Sequence, residues 1–354
     1  MQRQACIYSR DFWKIAENSG LNDFRYRFAL VSDEAGRPVA LAGFYTVTTD
    51  IAIFAPLKLR NLLAKVRRLF PNFFKLRMLE CGNPICVSSP PFATIDQKMN
   101  GEIIATLAKL LQEIARTEGH LIVVMRDFEP EESSLQAELE RRGYHWVDCF
   151  PNTYMDIIWE TPEQYIASLK SYYRSKLLKY LRRNEQQQVH HELRNDFHDL
   201  ADTLCQQWMV VHEQADEYQR EVLTPSFYRE FSQRLGDRSK VLLFYRRGEL
   251  VGHALLLLDG DLLRWMYFGR NQAGNDNLYI YVGYTVIETA IRLGARRLQL
   301  GLTTYAVKRD LGATITPIYL AISSSRPFLN PLVGFLYPLL NRPPRLVNKR
   351  VFKA

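Results

Sequence analysis

The sequence predicts an α/β fold, a mixed sheet with crossover helices, built from two tandem copies of one unit. Three observations carry this. An order of hairpin, amphipathic helix, apolar strand, short helix and strand occurs twice. Each long helix closes on a glycine just before a β-rich run. The chain, with 354 residues of which 47% are hydrophobic, is long enough for two ordinary cores.

In chain order, Phe28 to Val47 reads as strand, turn and strand, because β-branched and apolar residues flank the turn signal at Ala35 and Gly36. The segment Leu57 to Phe70 has Leu59, Leu62, Leu63, Val66, Leu69 and Phe70 at helical spacing. It also carries Lys58, Arg60, Lys65, Arg67 and Arg68 without one acid, the pattern of a helix lying on anionic headgroups or of a helix packed on a core. Next, Ile103, Leu107, Leu110, Leu111 and Ile114 mark an amphipathic helix that stops at Gly119 and leads into the strand LIVVM. LQAELERRGYHWVDCF then gives a short helix and the final strand of the first unit.

A boundary is expected near residue 160. The first unit takes residues 1–160 with a basic amphipathic insertion at 57–80, the second takes 161–325, and 326–354 form an apolar and basic tail. The second unit opens with a basic helix from Tyr165 to Arg183, on which Lys170, Arg174, Lys176, Lys179, Arg182 and Arg183 largely avoid the apolar face. A strand at Val189–Leu193 and helices near His198–Gln214 and Pro225–Leu235 follow. Val241 to Gly269 reads as three strands joined by turns at Arg247–Gly248 and Asp259–Gly260. A helix through Tyr284, Ile287 and Ile291 ends at Gly294, then RRLQLG and YAVKRDLGATITPIYLAI repeat the strand, short helix and strand of the first unit. In the tail, Pro331 and Pro338 argue against one long helix.

Composition narrows the function classes. A net charge of +8 with pI near 9.2 favours anionic partners such as phosphorylated co-substrates, lipid headgroups or RNA. The five cysteines make no CxxC pair and the histidines have no metal-ligand spacing, so reduced thiols and no metal are expected. The segment MQRQACIYSRDFWK lacks the apolar core of a secretory signal, and no apolar run is long enough to cross a bilayer. The expected location is cytoplasmic, with peripheral contact at a membrane through the 57–70 segment and the tail.

The segment YIASLKSYYRSKLLKYLRR before the second unit, together with GLTTYAVKRDLGA near its end, resembles the Fem-like and related two-unit acyltransferases of the GNAT superfamily. The resemblance covers nearly the whole chain to about residue 322. It implies two GNAT-type units and acyl transfer to an amine, with Lys308 of VKRDLG in the place of a lysine that such second units carry before a glycine turn. One departure stands out: the loop after LLRWMYFG runs Arg270, Asn271, Gln272, Ala273, Gly274, Asn275, Asp276. It is one residue longer than the Q/R-x-x-G-x-G/A phosphate loop of simple GNAT enzymes and lacks its second glycine, which puts a standard coenzyme A site in doubt.

Transfer of an acyl group to an amine needs an activated donor held beside a neutral amine, a proton acceptor, and hydrogen-bond donors aimed at the developing oxyanion. Within an apolar strand, His253 offers either that acceptor or a core histidine with a backbone partner. Tyr267 and Tyr305 are candidate donors to a leaving group, or packing residues. Lys308 and Arg309 suit charge stabilisation near the donor; Arg270 and the amides around Gly274 suit its phosphates; Lys176 represents the basic helix as an anion-binding face or a solvated one. The resulting expectation is an N-acyltransferase with no tightly bound cofactor. It would move an acyl group from acyl-CoA or an acyl-carrier thioester to an amine acceptor that is a lipid, sugar or peptide. Two alternatives are a Fem-type transferase using aminoacyl-tRNA on a cell-wall precursor and a non-catalytic membrane-associated adaptor.

Overall fold

The computed structural model describes residues 5–50, 57–87, 89–215, 221–272, 274 and 277–353, with side chains for all of these except 57–59. In the first half come α1 (Arg10–Asn18), β1 (Arg25–Ser32), β2 (Pro38–Asp50), α2 (Leu57–Arg67), β3 (Lys75–Cys81) and β4 (Phe92–Thr94). They are followed by α3 (Asn100–Glu118), β5 (Ile122–Phe128), α4 (Gln136–Arg141) and β6 (His145–Asp156). The second half contains α5 (Pro162–Ser168), α6 (Ser171–Gln186), β7 (Val189–Arg194), α7 (Ala201–Glu213), α8 (Pro225–Leu235), β8 (Ser239–Arg246), β9 (Glu249–Asp259) and β10 (Leu262–Arg270). It continues with α9 (Leu278–Arg292), β11 (Arg297–Gln299), α10 (Tyr305–Asp310), β12 (Thr314–Ser324) and α11 (Asn330–Leu340).

Local chemistry accounts for most of these elements. Ser9, Thr161 and Thr224 each cap a helix by accepting a hydrogen bond from a backbone N–H of its first turn. Gly119 takes the left-handed conformation (φ 77°) that ends α3. Arg247 and Gly248 (φ 52° and 82°) supply the pair of positive φ values that a tight hairpin requires between β8 and β9. The buried stripe of α3, Ile103, Ile104, Leu107, Ala108 and Leu111, follows the 3.6 period expected of it.

All strands join one sheet in the order β1-β2-β3-β5-β12-β6-β11-β10-β9-β8-β7, with β4 pairing β2 off this path. The two halves match as the repeat predicts. In each, a helix crossover joins a parallel pair: β3 with β5 around α3, and β10 with β11 around α9. The closing strands, however, change sides. β12 pairs with β5 and β6, while β6 pairs with β11, so each half receives its last strand from the other. The division expected near residue 160 would fall between β6 and α5, and the hydrogen-bond ladders run across it.

Cores form on both faces of the sheet. Over the first half, α3 and α4 cover one face, and α11 covers the other through Val333 and Tyr337. Over the second half, α5, α6 and α9 cover one face, while α1, α7 and α8 cover the other. Two local expectations are revised. The basic helix is split at Leu169, which forms an isolated bridge with Phe352, while the N–H of Lys170 donates to the carbonyl of Val351 (2.9 Å). The returning tail thus takes the backbone groups that would have continued the helix. The tail itself contains an 11-residue helix, α11, that tolerates Pro338 close to its end. Of the 57–70 segment, α2 is described from Leu57 to Arg67, but the side chains of Lys58 and Leu59 lie outside the described residues.

Candidate active site

The parallel ladder between β10 and β11 is three residues long, Leu262–Arg264 against Arg297–Gln299; beyond it the strands part. A register shift between Trp265 and Tyr267 marks a bulge at Met266. The bulge turns two successive residues, Met266 and Tyr267, toward the α7 side, whereas Trp265 and Phe268 pack with α9. The gap opens into a cleft of about 650 Å³. Its walls are the end of α7 (Trp208, Val211, His212), the β10 edge, the loop Leu300–Thr304 with Lys308, and two pieces of the first half, Ile85–Val87 and Arg126. Both halves therefore build it.

A buried ion pair clamps the point where the strands separate. Arg264 donates from Nε to Asp259 Oδ2 (2.9 Å) and from Nη1 to Gln299 Oε1 (2.8 Å) and to the Val87 carbonyl (3.0 Å). One side chain thus ties β9, β10 and β11 to the first half, and the buried charge is both paired with a carboxylate and hydrogen-bonded to two further acceptors. On the first-half wall, Arg126 Nη1 donates to Tyr45 Oη (3.1 Å), whose hydroxyl donates to Glu80 Oε2 (2.9 Å), and Arg126 Nε lies 3.0 Å from Asp127 Oδ2.

The polar centre of the cleft is Tyr267 with Glu221. The Tyr267 hydroxyl donates to Glu221 Oε1 (2.9 Å) and sits 3.2 Å from the Ile85 carbonyl. Burial raises the Glu221 pKa above the usual carboxylate range, opposed by backbone and Tyr267 hydrogen bonds and by the charges of Arg126 and His212. Its Oε2 is shielded from solvent and has no hydrogen-bond partner among the described residues. His212 stacks on Trp208 (centroids 4.5 Å apart), and burial lowers its pKa. Across the cleft, Lys308 is 3% exposed and donates from Nζ to the Leu302 carbonyl (2.6 Å). The loop before it is strained: Thr303 and Thr304 have φ of 62° and 48°. Two β-branched residues in succession in the left-handed region are costly and mark a loop held in place by its surroundings.

Of the expected site residues, Tyr267, Arg270, Gly274 and Lys308 line this cleft. Ala273, Asn275 and Asp276, from the loop after β10, lie outside the described residues. The other four candidates point elsewhere. His253 is 0% exposed and lies between Tyr228 Oη (3.0 Å from Nε2) and Gln207 Oε1 (2.8 Å from Nδ1). Burial lowers its pKa to about 3, so it is a neutral core histidine with no access to an amine. It backs β10 at Gly269, where an added Cβ would come within 2.3 Å of its ring. Tyr305 donates to the Pro151 carbonyl (2.9 Å) and fastens α10 to β6. Lys176 is paired with Asp310 (2.6 Å), a carboxylate it shares with Lys349, and Arg309 donates to the Val347 carbonyl. These two cations tie α6, α10 and the tail together and stand outside the cleft.

Sequence reasoning missed Glu221, His212, Arg126 and the Thr303–Thr304 strain. Glu221 and His212 come from segments with no motif, and Arg126 is contributed by the first half, whose role the sequence leaves open. The GLTTYAVKRDLGA segment was singled out, but nothing in two threonines announces a positive φ. Among the described residues no group of three His, Cys, Asp or Glu could hold a metal ion.

Comparison with known proteins agrees with this architecture. Residues 85–312 match a family model named FemAB-like and described as peptidoglycan biosynthesis/recognition. A curated relative, putative 8-amino-7-oxononanoate synthase 2 of Mycobacterium tuberculosis, is 28% identical over 325 residues, which is 90% of this chain and 42% of that protein. The chain therefore spans less than half the length of the curated relatives it matches. Among solved structures, L-PGS from Bacillus licheniformis superposes with a TM-score of 0.53 at 12% identity, covering 93% of this chain and 96% of that one. FemX does so with 0.53 at 12% identity (84% and 88%), and a tandem GNAT protein from the clavulanic acid biosynthesis pathway with 0.52 at 12% (86% and 84%). At such identities these similarities establish the fold, a tandem GNAT-type architecture, and nothing further.

Proposed function

The chain belongs to the FemAB-like family, and from that premise we propose that its cleft transfers an acyl or aminoacyl group from an activated donor to an amine. The observation that carries the reading is the pairing, in one cleft formed by parting strands, of a carboxylate with raised pKa, Glu221, and a buried cation, Lys308. In the proposed reaction the amine nitrogen attacks the acyl carbon and a C–N bond forms. Glu221, held by Tyr267, accepts the proton the amine gives up, a role favoured by a pKa moved toward working pH. The C–S or C–O bond to the carrier then breaks. The departing anion leaves beside the Lys308 ammonium, which offsets its charge, and takes a proton from solvent at the mouth, to which Glu221 releases the one it accepted. Arg270 and the backbone near Gly274 meet the anionic part of the donor.

Thiol release from an acyl-CoA panel, measured with a trapping reagent against amine acceptors that include α-aminoketones, tests this. Release that requires acceptor is expected, and Glu221→Gln should lower kcat by about 10²–10⁴ while the fold is kept. Undiminished turnover in Glu221→Gln would remove the carboxylate from the mechanism.

A second reading has its own observation. The exposed cations Lys179, Arg182 and Arg183 of α6 line a shallow groove, which favours a polyanionic carrier such as aminoacyl-tRNA. Activity that needs aminoacyl-tRNA, and is abolished by ribonuclease, would select that donor over a small thioester.

A further inference from the structure

We propose that the outer side of α11, together with the segment from α2 into β3, docks the protein on an anionic lipid bilayer. On α11, Val333 and Tyr337 face the sheet, while Leu332, Phe335, Leu336 and Leu339 recur at helical spacing on the outside. Phe335 is 66% exposed and Phe328, just before the helix, 79%. A second apolar group, Leu69, Phe70, Phe73 and Phe74, is exposed immediately before β3. Isolated exposed apolar residues are ordinary, but of the nineteen large ones exposed among the described residues eleven fall in 62–74 and 328–347, which together are under a tenth of the chain's length.

The two groups border one face of the sheet. Val333 and Tyr337 share a core cluster with Leu76 and Met78 of β3, the strand into which Phe73 and Phe74 lead. Charge selects the occupant. No acid occurs between Asp50 and Glu80 or after Asp310, whereas Arg68, Lys75, Arg326, Arg342 and Arg345 are exposed around the apolar residues. A protein partner would require an equally acidic and apolar surface; an anionic bilayer supplies both properties at once. At 11 residues α11 is too short to cross a bilayer, so it lies along the interface. The inference is independent of the reaction proposed above.

Flotation of the full chain with phosphatidylcholine vesicles, with and without phosphatidylglycerol, tests it. Binding should require phosphatidylglycerol and fall as salt rises. The double variant Phe335→Ser/Leu339→Ser should bind at least about ten-fold more weakly with an unchanged thermal unfolding midpoint. Arg342→Gln/Arg345→Gln should weaken binding about five-fold per cation. Equal binding to neutral and anionic vesicles, or wild-type binding by both variants, would overturn the proposal. So would a dimer seen by light scattering that Phe335→Ser/Leu339→Ser dissolves without any effect on lipid binding, because it would give the face to a second copy.

Discussion

Lowering the pH from about 7 to about 4.5 should destabilise this protein through His253 by an amount that follows from its surroundings. In the folded chain, burial holds the imidazole neutral, with its pKa lowered to about 3 from an ordinary value of 6.5. The unfolded chain binds a proton at 6.5 that the folded chain refuses, so the stability is complete above 6.5 and is lost as pH falls from there toward 3. At about pH 4.5 the loss is about 2.7 kcal/mol, two pH units at roughly 1.36 kcal/mol each. His253→Gln removes the titration and still offers a side chain able to bond Tyr228 and Gln207, so its pH dependence should be shallower by that amount. Urea unfolding of both proteins across this range measures the difference, since every other titrating group cancels between them. A difference below about 1 kcal/mol, or an imidazole resonance titrating near 6.5 in the folded protein, would refute the reasoning. The rate profile against pH should be the same in both proteins, because His253 does not reach the cleft.

Replacing Lys308 with Met should lower kcat/KM by about 10²–10³, the usual cost of deleting one preorganised charge or donor; steady-state kinetics showing less than a three-fold change would exclude it from the reaction. Arg264→Met leaves Asp259 buried without its partner and should cost about 3–5 kcal/mol in denaturant unfolding. Much of that should return when Asp259 is also replaced by Leu, and no recovery would contradict the clamp described at the strand junction. Gly312→Ala puts a Cβ 2.3 Å from Phe352 Cζ at a φ of 99°, so the tail must shift. A loss of about 2 kcal/mol or more is expected, and it should shrink in a Phe352→Ala background; equal cost in both would show that backbone conformation alone is responsible.

Much of this molecule is legible without coordinates. The positions of α3, α9 and the β8–β9–β10 strands follow from hydrophobic period and turn residues, which act over a few neighbours. The duplication is visible for the same reason, since both halves use the same local code. Of the eight candidate residues the sequence offers, Lys308, Tyr267, Arg270 and Gly274 line the cleft where β10 and β11 part, while His253, Tyr305, Lys176 and Arg309 do not.

What lay beyond the sequence depends on contacts between residues far apart in the chain. The apolar surroundings of His253 suited a core histidine and a proton acceptor equally, and only the partners Tyr228 and Gln207, both from helices outside its strand, decide between them. Glu221 is one of several acids in its segment until Tyr267 and burial single it out. The exchange of β6 and β12 between halves is equally invisible, because a strand's alternation specifies a buried face but not which edge it joins. Local chemistry in this chain set the elements and their repetition. The tertiary structure alone chose which strands meet and which side chains share the cleft, because pairing and desolvation depend on neighbours that come from elsewhere in the chain, from 25 residues away at His253 and Tyr228 to the distant partners of β12 on β5 and β6.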